Sequence, residues 1–439
     1  MPKQAGWLLG LVGLILAGFL VACGTTYNSS SDGLVVVGSV GSSLLESFTF
    51  SLTNGHIAPI SNSPNDTSNQ TCVLPGTPYA LVLDPAGQYA YAILSGNQAC
   101  GNAGSNGIAS FKVNSDGTLG KPGTPVSDPN PVALAMDQSG KYLFVAEGTG
   151  VIQPPATTPT PCIAGSTQYQ VCAYAIGSGG SLTPIPATFN FVLPGGYNTP
   201  NFAALAATPT TLPALVNGVQ TAVCSNPGNT APTNEFLYVA DSANNAVYEF
   251  GVDMSSGTLT NPPSQSQVPT FSTGATQTGA TPSGVVVDPC DRFVYVSNLQ
   301  SNQISGYTLC SVVSGTSCPA ADGRLNPIAG SPFSQSVGLG PGPLVVDPFG
   351  NYLYVLETRS NQVLPFSIAS QSGVLTAKTA AATGQLPISM AIRGDNNWLF
   401  VTNFTSATLS QFSIAPATGA LSALPPVQTD NEPWGVAVK

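Results

Sequence analysis

Short apolar runs, strands that mix an aromatic residue with valine, and polar turns follow one another along this chain in a fixed order, and the order recurs seven times. One full unit reads Phe236-Leu237-Tyr238-Val239-Ala240, a polar turn through Asn244-Asn245, Val247-Tyr248-Glu249-Phe250, then Ser256-Gly257-Thr258-Leu259. An unbroken apolar run such as Gly284-Val285-Val286-Val287 or Leu344-Val345-Val346 precedes the aromatic-valine strand. Such runs suit strands buried on both faces. Each unit therefore predicts four strands: a buried inner strand, a Tyr-Val strand, a strand carrying one aromatic, and an outer strand. The third-strand aromatics are Phe48, Phe111, Tyr174, Phe250, Tyr307, Phe366 and Phe412. A hairpin glycine follows each: Gly55, Gly117, Gly180, Gly257, Gly323, Gly373 and Gly419. Turns such as Asn54-Gly55 and Asp116-Gly117 supply the positive φ that tight hairpins require.

Four-stranded sheets repeated around an axis make a β-propeller. The pattern predicts an all-β chain, a seven-bladed β-propeller of four-stranded antiparallel blades. The first unit opens at Leu34 without an inner strand, and the chain ends on Pro433-Trp434-Gly435-Val436-Ala437-Val438, an inner strand without a successor. The C-terminal strand is expected to join the first blade and close the ring, removing two sheet edges. A twisted solenoid would gain nothing from complementary incomplete ends. Asp84, Asp137, Asp288 and Asp347 end inner strands, most of them in Asp-Pro turns. They are read as turn caps rather than catalytic acids.

Charged residues are only 7% of the chain and the net charge is −10. That balance excludes nucleic acid as a partner, since phosphate backbones need clustered Lys and Arg. The N-terminus reads as a targeting segment: Lys3, an apolar stretch from Ala5 to Leu20, then Leu20-Val21-Ala22-Cys23. The last four residues resemble the lipobox of bacterial lipoproteins. That resemblance implies a signal peptide over residues 1–22, cleavage before Cys23 and lipidation there, a tether to residue 33, and a propeller over 34–439. The partner at that end is then a membrane, held through the lipid anchor. An uncleaved transmembrane anchor is the alternative, and both put the propeller outside the cytoplasm.

Eight further cysteines fit an oxidising compartment. Propeller topology pairs them by face. The top face carries the turns between second and third strands and the entries to the inner strands; the bottom face carries the glycine hairpins. On this basis Cys72–Cys100, Cys162–Cys172, Cys224–Cys290 and Cys310–Cys318 are the expected disulfides. A metal site is the competing reading of these cysteines, but no Cys-x-x-Cys pair occurs and there is one histidine. No metal and no cofactor are expected.

Aligning the units puts one residue per blade at the top end of the second strand: Ser39, Leu94, Glu147, Asp241, Asn298, Glu357 and Asn403. Glu147, Asp241, Asn298, Glu357 and Asn403 are candidate ligand-binding residues, and Glu147, Glu357 and Arg359 are candidate catalytic ones. The competing reading has Asn and Asp capping the following turn. His56 follows a bottom hairpin glycine, so no Ser-His or Cys-His pair can form at the channel mouth. Two long top-face insertions, 148–170 and 261–280, are candidate binding loops.

The units Asp288-Pro289-Cys290-Asp291-Arg292-Phe293-Val294-Tyr295-Val296-Ser297-Asn298 and Asp347-Pro348-Phe349-Gly350-Asn351-Tyr352-Leu353-Tyr354-Val355 resemble the YVTN repeats of the seven-bladed lactonase-like propeller family, and Leu399-Phe400-Val401-Thr402-Asn403 is nearly that signature. The resemblance implies the propeller fold. It also implies an activity similar to 6-phosphogluconolactonase or to the fungal muconate-cyclising enzymes, attributed there to His, Arg and Glu on the top face. This chain offers Glu147, Glu357 and Arg359 at that level and no His. Three functions follow as expectations. The first is an exported, lipid-anchored propeller that binds a protein or a carbohydrate-like ligand through its top face. The second is a lactone hydrolase, and the third a structural envelope component.

Overall fold

A computed structural model describes residues 32–61, 63, 77–95, 106–123, 125–128, 131–147, 171–186, 202–208, 235–260, 281–310, 323–334 and 338–439. Within them thirty strands form seven antiparallel sheets. Blade 1 joins β1 (Asp32–Ser39), β2 (Leu44–Ser51) and β3 (Ile57–Pro59) to the C-terminal β30 (Pro433–Val438). Blades 2 to 7 follow in chain order, each from its own inner strand outward. The inner strands are β4 (Thr77–Leu83), β9 (Pro131–Met136), β13 (Phe202–Ala207), β17 (Pro282–Val287), β21 (Pro341–Val346) and β26 (Pro387–Ile392). With β30 they neighbour one another in a closed circle.

The expected closure is present. Val35, Val36 and Val37 of β1 pair with Val438, Ala437 and Val436 of β30. The first strand starts two residues earlier than the apolar run suggested, at Asp32. Two blades carry an extra two-residue strand: β8 (Val126–Ser127) pairs with β6 (Gly107–Val113) in blade 2, and β25 (Ala381–Ala382) pairs with β23 (Gln362–Ile368) in blade 6.

The core lies between blades. Tyr91, Phe144, Tyr238, Tyr295, Tyr354 and Phe400 of the second strands are fully buried, as are the third-strand aromatics Phe48, Phe111, Tyr174, Phe366 and Phe412. Each hairpin glycine has positive φ, from 67° at Gly419 to 80° at Gly117. Glycine also serves packing there. A Cβ on Gly373 would lie 2.6 Å from the ring of Phe293 in the preceding blade, and Gly180, Gly257, Gly323 and Gly419 meet Tyr89, Tyr142, Phe236 and Tyr352 in the same way. Gly55 of blade 1 meets Trp398 of blade 7, so the lock continues across the closure. Second-strand tyrosines add a polar link to the same hairpins: Tyr238 donates to the Gly323 carbonyl at 2.5 Å and Tyr295 to that of Gly373 at 2.7 Å.

The inner-strand aspartates are turn caps. Asp84 accepts from the amide of Tyr89 at 2.7 Å, Asp137 from that of Tyr142 at 2.6 Å, and Asp347 from that of Tyr352 at 2.7 Å. Asp288 accepts from the Arg292 amide at 3.2 Å and forms a bidentate pair with its guanidinium, at 2.8 Å to each nitrogen. That guanidinium also donates to the Gly350 carbonyl at 2.9 Å, which ties the bottoms of blades 5 and 6.

Candidate functional site

The top end of each inner strand carries a β-bulge. In blade 2, Pro78 pairs with Leu94 and Ala80 with Ile93, so Tyr79 has no partner of its own. The same shift isolates Val132, Ala203, Ser283, Ile388 and Trp434, and in blade 6 the pair Gly342-Pro343. Bulges re-aim side chains beside functional sites. Here they do so seven times around one channel. In five blades an inner-strand proline at the bulge is buried while the residue after it is at least partly exposed: Tyr79, Val132, Ser283, Ile388 and Trp434.

A repeated clamp holds these bulges. The residue before the inner-strand proline is left-handed at Thr281 (φ 40°), Gly340 (φ 69°), Leu386 (φ 50°) and Glu432 (φ 55°). Its carbonyl accepts the amide that follows the second strand: Leu299, Thr358, Phe404 and Val40 donate, each at 2.9 Å. Its own amide donates to an asparagine of the preceding blade: Thr281 to Asn245, Gly340 to Asn302 and Leu386 to Asn361, each at 2.8 Å. Those asparagines are left-handed themselves, with φ of 52°, 53° and 54°. A hydroxyl one position before the end of the second strand then fixes the bulge. Ser297 donates to the Gly342 carbonyl at 2.5 Å and Thr402 to that of Trp434 at 2.7 Å. A left-handed leucine costs about 1–2 kcal/mol, so Leu386 is a strained point in this ring.

The bulge residues make an asymmetric mouth. Blades 7, 1, 2 and 3 supply Ile388, Trp434, Tyr79 and Val132; blades 4, 5 and 6 supply Ala203, Ser283 and the pair Gly342-Pro343, of which Pro343 is the partly exposed one. None of the seven inner strands carries a charged residue. Trp434 is 36% exposed and its indole stands edge-to-face with Tyr79 (5.3 Å between ring centres) and with Phe404 (5.6 Å). Leu386 and Leu339, in the top loops entering blades 7 and 6, are 42% and 57% exposed.

The polar ring expected from the sequence lies one strand outward. Ser39, Glu147, Asn298, Glu357 and Asn403 stand opposite the inner-strand prolines, Leu94 opposite Pro78, and Asp241 opposite Phe202. The alignment holds, but these residues are at most 3% exposed. They bridge second and third strands. Asp241 accepts from Tyr248 at 2.9 Å, Asn298 donates to Ser305 at 2.9 Å, and Asn403 donates to Ser410 at 2.9 Å. Glu357 accepts from the Gly338 amide at 2.5 Å and from the Gln362 side chain. Burial raises its pKa. Arg359, two residues on, is exposed in the top loop.

Glu147 differs from the others. Burial, and then the neighbouring Asp128, push its pKa up to about 9. Asp128 accepts from the Tyr174 hydroxyl at 2.8 Å. Glu147 is therefore a buried acid whose carboxyl group favours the protonated form beside Asp128. Asp128, Glu147 and Cys172 are the one group among the described residues whose ligand atoms approach within 4.8 Å of one another. Binding a divalent ion there would require removing that proton inside an apolar wall, which the burial opposes.

His56 is exposed in the bottom hairpin of blade 1, away from the mouth. Cys172 lies at the top end of its strand, Cys290 in the bottom turn of blade 5 and Cys310 at the start of the bottom hairpin of that blade, while Cys72, Cys100, Cys162, Cys224 and Cys318 lie outside the described residues. So do Cys23, the targeting segment and the insertions 148–170 and 261–280. No helix among the described residues is long and apolar enough to cross a membrane. The bulge ring was missed by sequence reasoning. Its signal is the recurring proline followed by one variable residue and an apolar run, as in Pro387-Ile388 and Pro433-Trp434.

Comparison with known proteins agrees with this architecture. No curated protein matches the chain. The solved periplasmic gluconolactonase of Pseudomonas aeruginosa superposes with a TM-score of 0.65 at 17% identity, over 93% of this chain and 99% of the other. A 6-phosphogluconolactonase candidate from Bacteroides fragilis gives 0.62 at 17% identity, over 94% and 100%. A Lactobacillus plantarum protein gives 0.61 at 16%, over 93% and 99%. At these identities the likeness is one of fold. The family model described as "Lactonase, 7-bladed beta-propeller" matches residues 309–437, so the end of blade 5, blades 6 and 7 and the closing strand carry the pattern of that family on a propeller whose solved neighbours are 6-phosphogluconolactonase-like.

Proposed function

We propose that this protein is an exported propeller, anchored by lipid at Cys23, that takes up a ligand at the top mouth of its channel. One observation carries the reading. The bulge residues that line the mouth carry no charge, while Glu147, Asp241 and Glu357 at that level are buried, the last two bonded within their own blades. Such a lining can hold a molecule, and among the described residues the exposed charges nearest to it, Arg359 and Glu432, lie in the top loops rather than on the inner strands. The lipobox-like segment and the even count of the remaining cysteines support export. So do the positions of Cys172, Cys290 and Cys310 at the ends of β11 (Val171–Ile176), in the bottom turn of blade 5 and after β19 (Gln303–Leu309). Expression in a bacterial host should give a protein that partitions into detergent, and Cys23→Ser should abolish this. Incubation with a panel of sugar and aliphatic lactones should give no turnover above spontaneous hydrolysis.

A second reading, lactone hydrolysis, is favoured by the family-model match and by the periplasmic gluconolactonase that shares the fold. In it Glu357 would act as base, Arg359 would steady the developing oxyanion, and protonated Glu147 would donate. Turnover of any lactone, lost in Glu357→Gln, would establish this reading in place of the first.

A further inference from the structure

The described residues include five lysines, and the four exposed ones share one sector of the bottom face. Lys439 follows β30 in blade 1. Lys112 and Lys121 stand on β6 and on β7 (Leu119–Pro122) in blade 2, on either side of the Gly117 hairpin, and Lys141 stands in the bottom turn of blade 3. The fifth, Lys378 in blade 6, is half-buried, with its ammonium 5.3 Å from the centre of the Tyr352 ring. None of the four exposed ammonium groups is in an ion pair among the described residues. Of the carboxylates in this sector, Asp84, Asp116 and Asp137 accept amides of their own turns, at 2.7 Å from Tyr89, 3.0 Å from Thr118 and 2.6 Å from Tyr142; Asp32 is the fourth. Such short side chains stay against the backbone, whereas a lysine carries its charge outward on a four-carbon stem. In blades 1 to 3 every bottom turn and hairpin belongs to the described residues. The chain also enters through this sector. β1 starts at Asp32, paired with Ser51, whose carbonyl accepts the Gly55 amide of the bottom hairpin at 2.9 Å. Asp32 is nine residues past Cys23, a reach of about 30 Å at full extension.

We infer that the bottom of blades 1, 2 and 3 docks on a membrane surface of anionic headgroups, with the top mouth turned away from the bilayer. The inference rests on the reading of Cys23 as a lipid anchor, and adds the face that meets the lipid and the headgroup charge it favours. An anchor at Cys23 keeps the bottom rim of blade 1 near the bilayer, so the ammonium groups meet headgroups at high effective concentration. Four electrostatic contacts, too few to bring a protein to a membrane by themselves, are then enough to set its tilt. The top face lacks such a set: its exposed charges among the described residues, Arg359 and Glu432, are of opposite sign. A protein partner is disfavoured at the bottom. Lysine is depleted in protein interfaces, and the exposed large apolar residues, Leu339, Leu386 and Trp434, all lie on the top face.

The test uses the full chain, made in a bacterial host and reconstituted into vesicles of phosphatidylglycerol with phosphatidylethanolamine, or of phosphatidylcholine alone. The anchor is then constant and only the headgroup charge changes. Lysine acetylation is followed residue by residue by mass spectrometry. On the anionic vesicles Lys112, Lys121, Lys141 and Lys439 should react at least threefold more slowly than on the neutral ones, and Lys378 at the same rate. High salt should remove the difference. Acrylamide should quench the emission of Trp434 equally on both, Trp398 being buried. The triple variant Lys112→Gln, Lys121→Gln, Lys141→Gln should keep its thermal midpoint, since all three side chains are exposed, and should lose the protection of Lys439. Equal reactivity on the two vesicles would overturn the docking face, and so would protection of Lys378 as large as that of the four. Protection of Lys439 that persists in the triple variant would do the same. Protein that floats with neither vesicle would remove the anchor and this inference with it, whereas protein that floats with every lysine reactive removes the docking face alone.

Discussion

Gly373 and Gly179 separate two reasons for glycine. Both have positive φ, 69° and 79°, yet a Cβ on Gly373 would lie 2.6 Å from the Phe293 ring whereas one on Gly179 meets nothing within 4 Å. Gly179→Ala should lose only the left-handed penalty, about 1 kcal/mol. Gly373→Ala should add the overpacking of a blade interface and lose about 2–4 kcal/mol in all. Urea denaturation of the two variants measures the difference, and equal losses would remove the packing role. Glu235 illustrates the opposite situation. It opens β14 (Glu235–Asp241) fully buried, with both carboxylate oxygens unpartnered among the described residues, and burial, followed by Asp137 and Asp291, pushes its pKa up to about 8. Burial similarly pushes Asp291 up to about 8 and Glu46 up to about 7. The folded state thus holds protons that the unfolded chain releases above about pH 4.5. Stability is full below that value and falls as pH rises through 7 and 8. Thermal midpoints should therefore decline from pH 5 to pH 9. Glu235→Gln should flatten the decline, raising stability at pH 9 and leaving it nearly unchanged at pH 5; a steeper profile would contradict the assignment.

At the scale of elements, strand order and hairpins were legible because each follows from a local rule: apolar runs, aromatic-valine alternation, a turn glycine. The orientation of the top face was not. Pairing Asn298 with Pro282 and Ser297 with Gly284 inserts Ser283 between them, and one inserted residue reverses which side chains face the channel. Alternation along the second strand could therefore rank Glu147, Glu357 and Asn403 as equivalent, correctly, without revealing that all three point into their own blades. The clamp was hidden for a related reason, since Asn245, Asn302 and Asn361 read only as turn residues until a neighbouring blade is set beside them. Asn302→Ala leaves the Gly340 amide without its acceptor and should destabilise by about 1–2 kcal/mol. Blade 7 offers the converse. Ala407 stands at the equivalent left-handed position, φ 50°, facing the loop of Glu432 across the closure. Ala407→Asn should relieve strain and supply the missing acceptor, stabilising by about 0.5–1 kcal/mol. A thermal midpoint unchanged or lowered by Ala407→Asn would show that the clamp does not extend to this junction.

For the whole molecule, the position of the chain break decides how the ring fails. Every interface between neighbouring blades is crossed by a covalent link, including that of blades 7 and 1, where the segment after β29 (Ala420–Gln428) runs into β30. The break lies inside a sheet, between β1 and β30, where Lys439 still donates its amide to the Leu34 carbonyl at 2.9 Å. Opening the ring at that point requires separating a hydrogen-bonded strand pair. A circular permutant that joins Lys439 to Asp32 by a short turn and opens the chain between Gln428 and Pro433 keeps every strand but moves the break to a blade interface. The bond from Thr402 to the Trp434 carbonyl and the Phe404–Trp434 contact would then hold blades 7 and 1 together without a covalent link. The permutant should fold with the same circular dichroism spectrum but unfold at least tenfold faster in chevron measurements, with its refolding rate little changed, because the loss falls on a contact made late. Deleting 433–439 instead leaves β1 with an open edge and blade 1 without its inner strand, and that chain should lose its cooperative transition. If the permutant unfolds no faster than the natural chain, the closing strand is one blade element among others and the inter-blade contacts alone hold the ring.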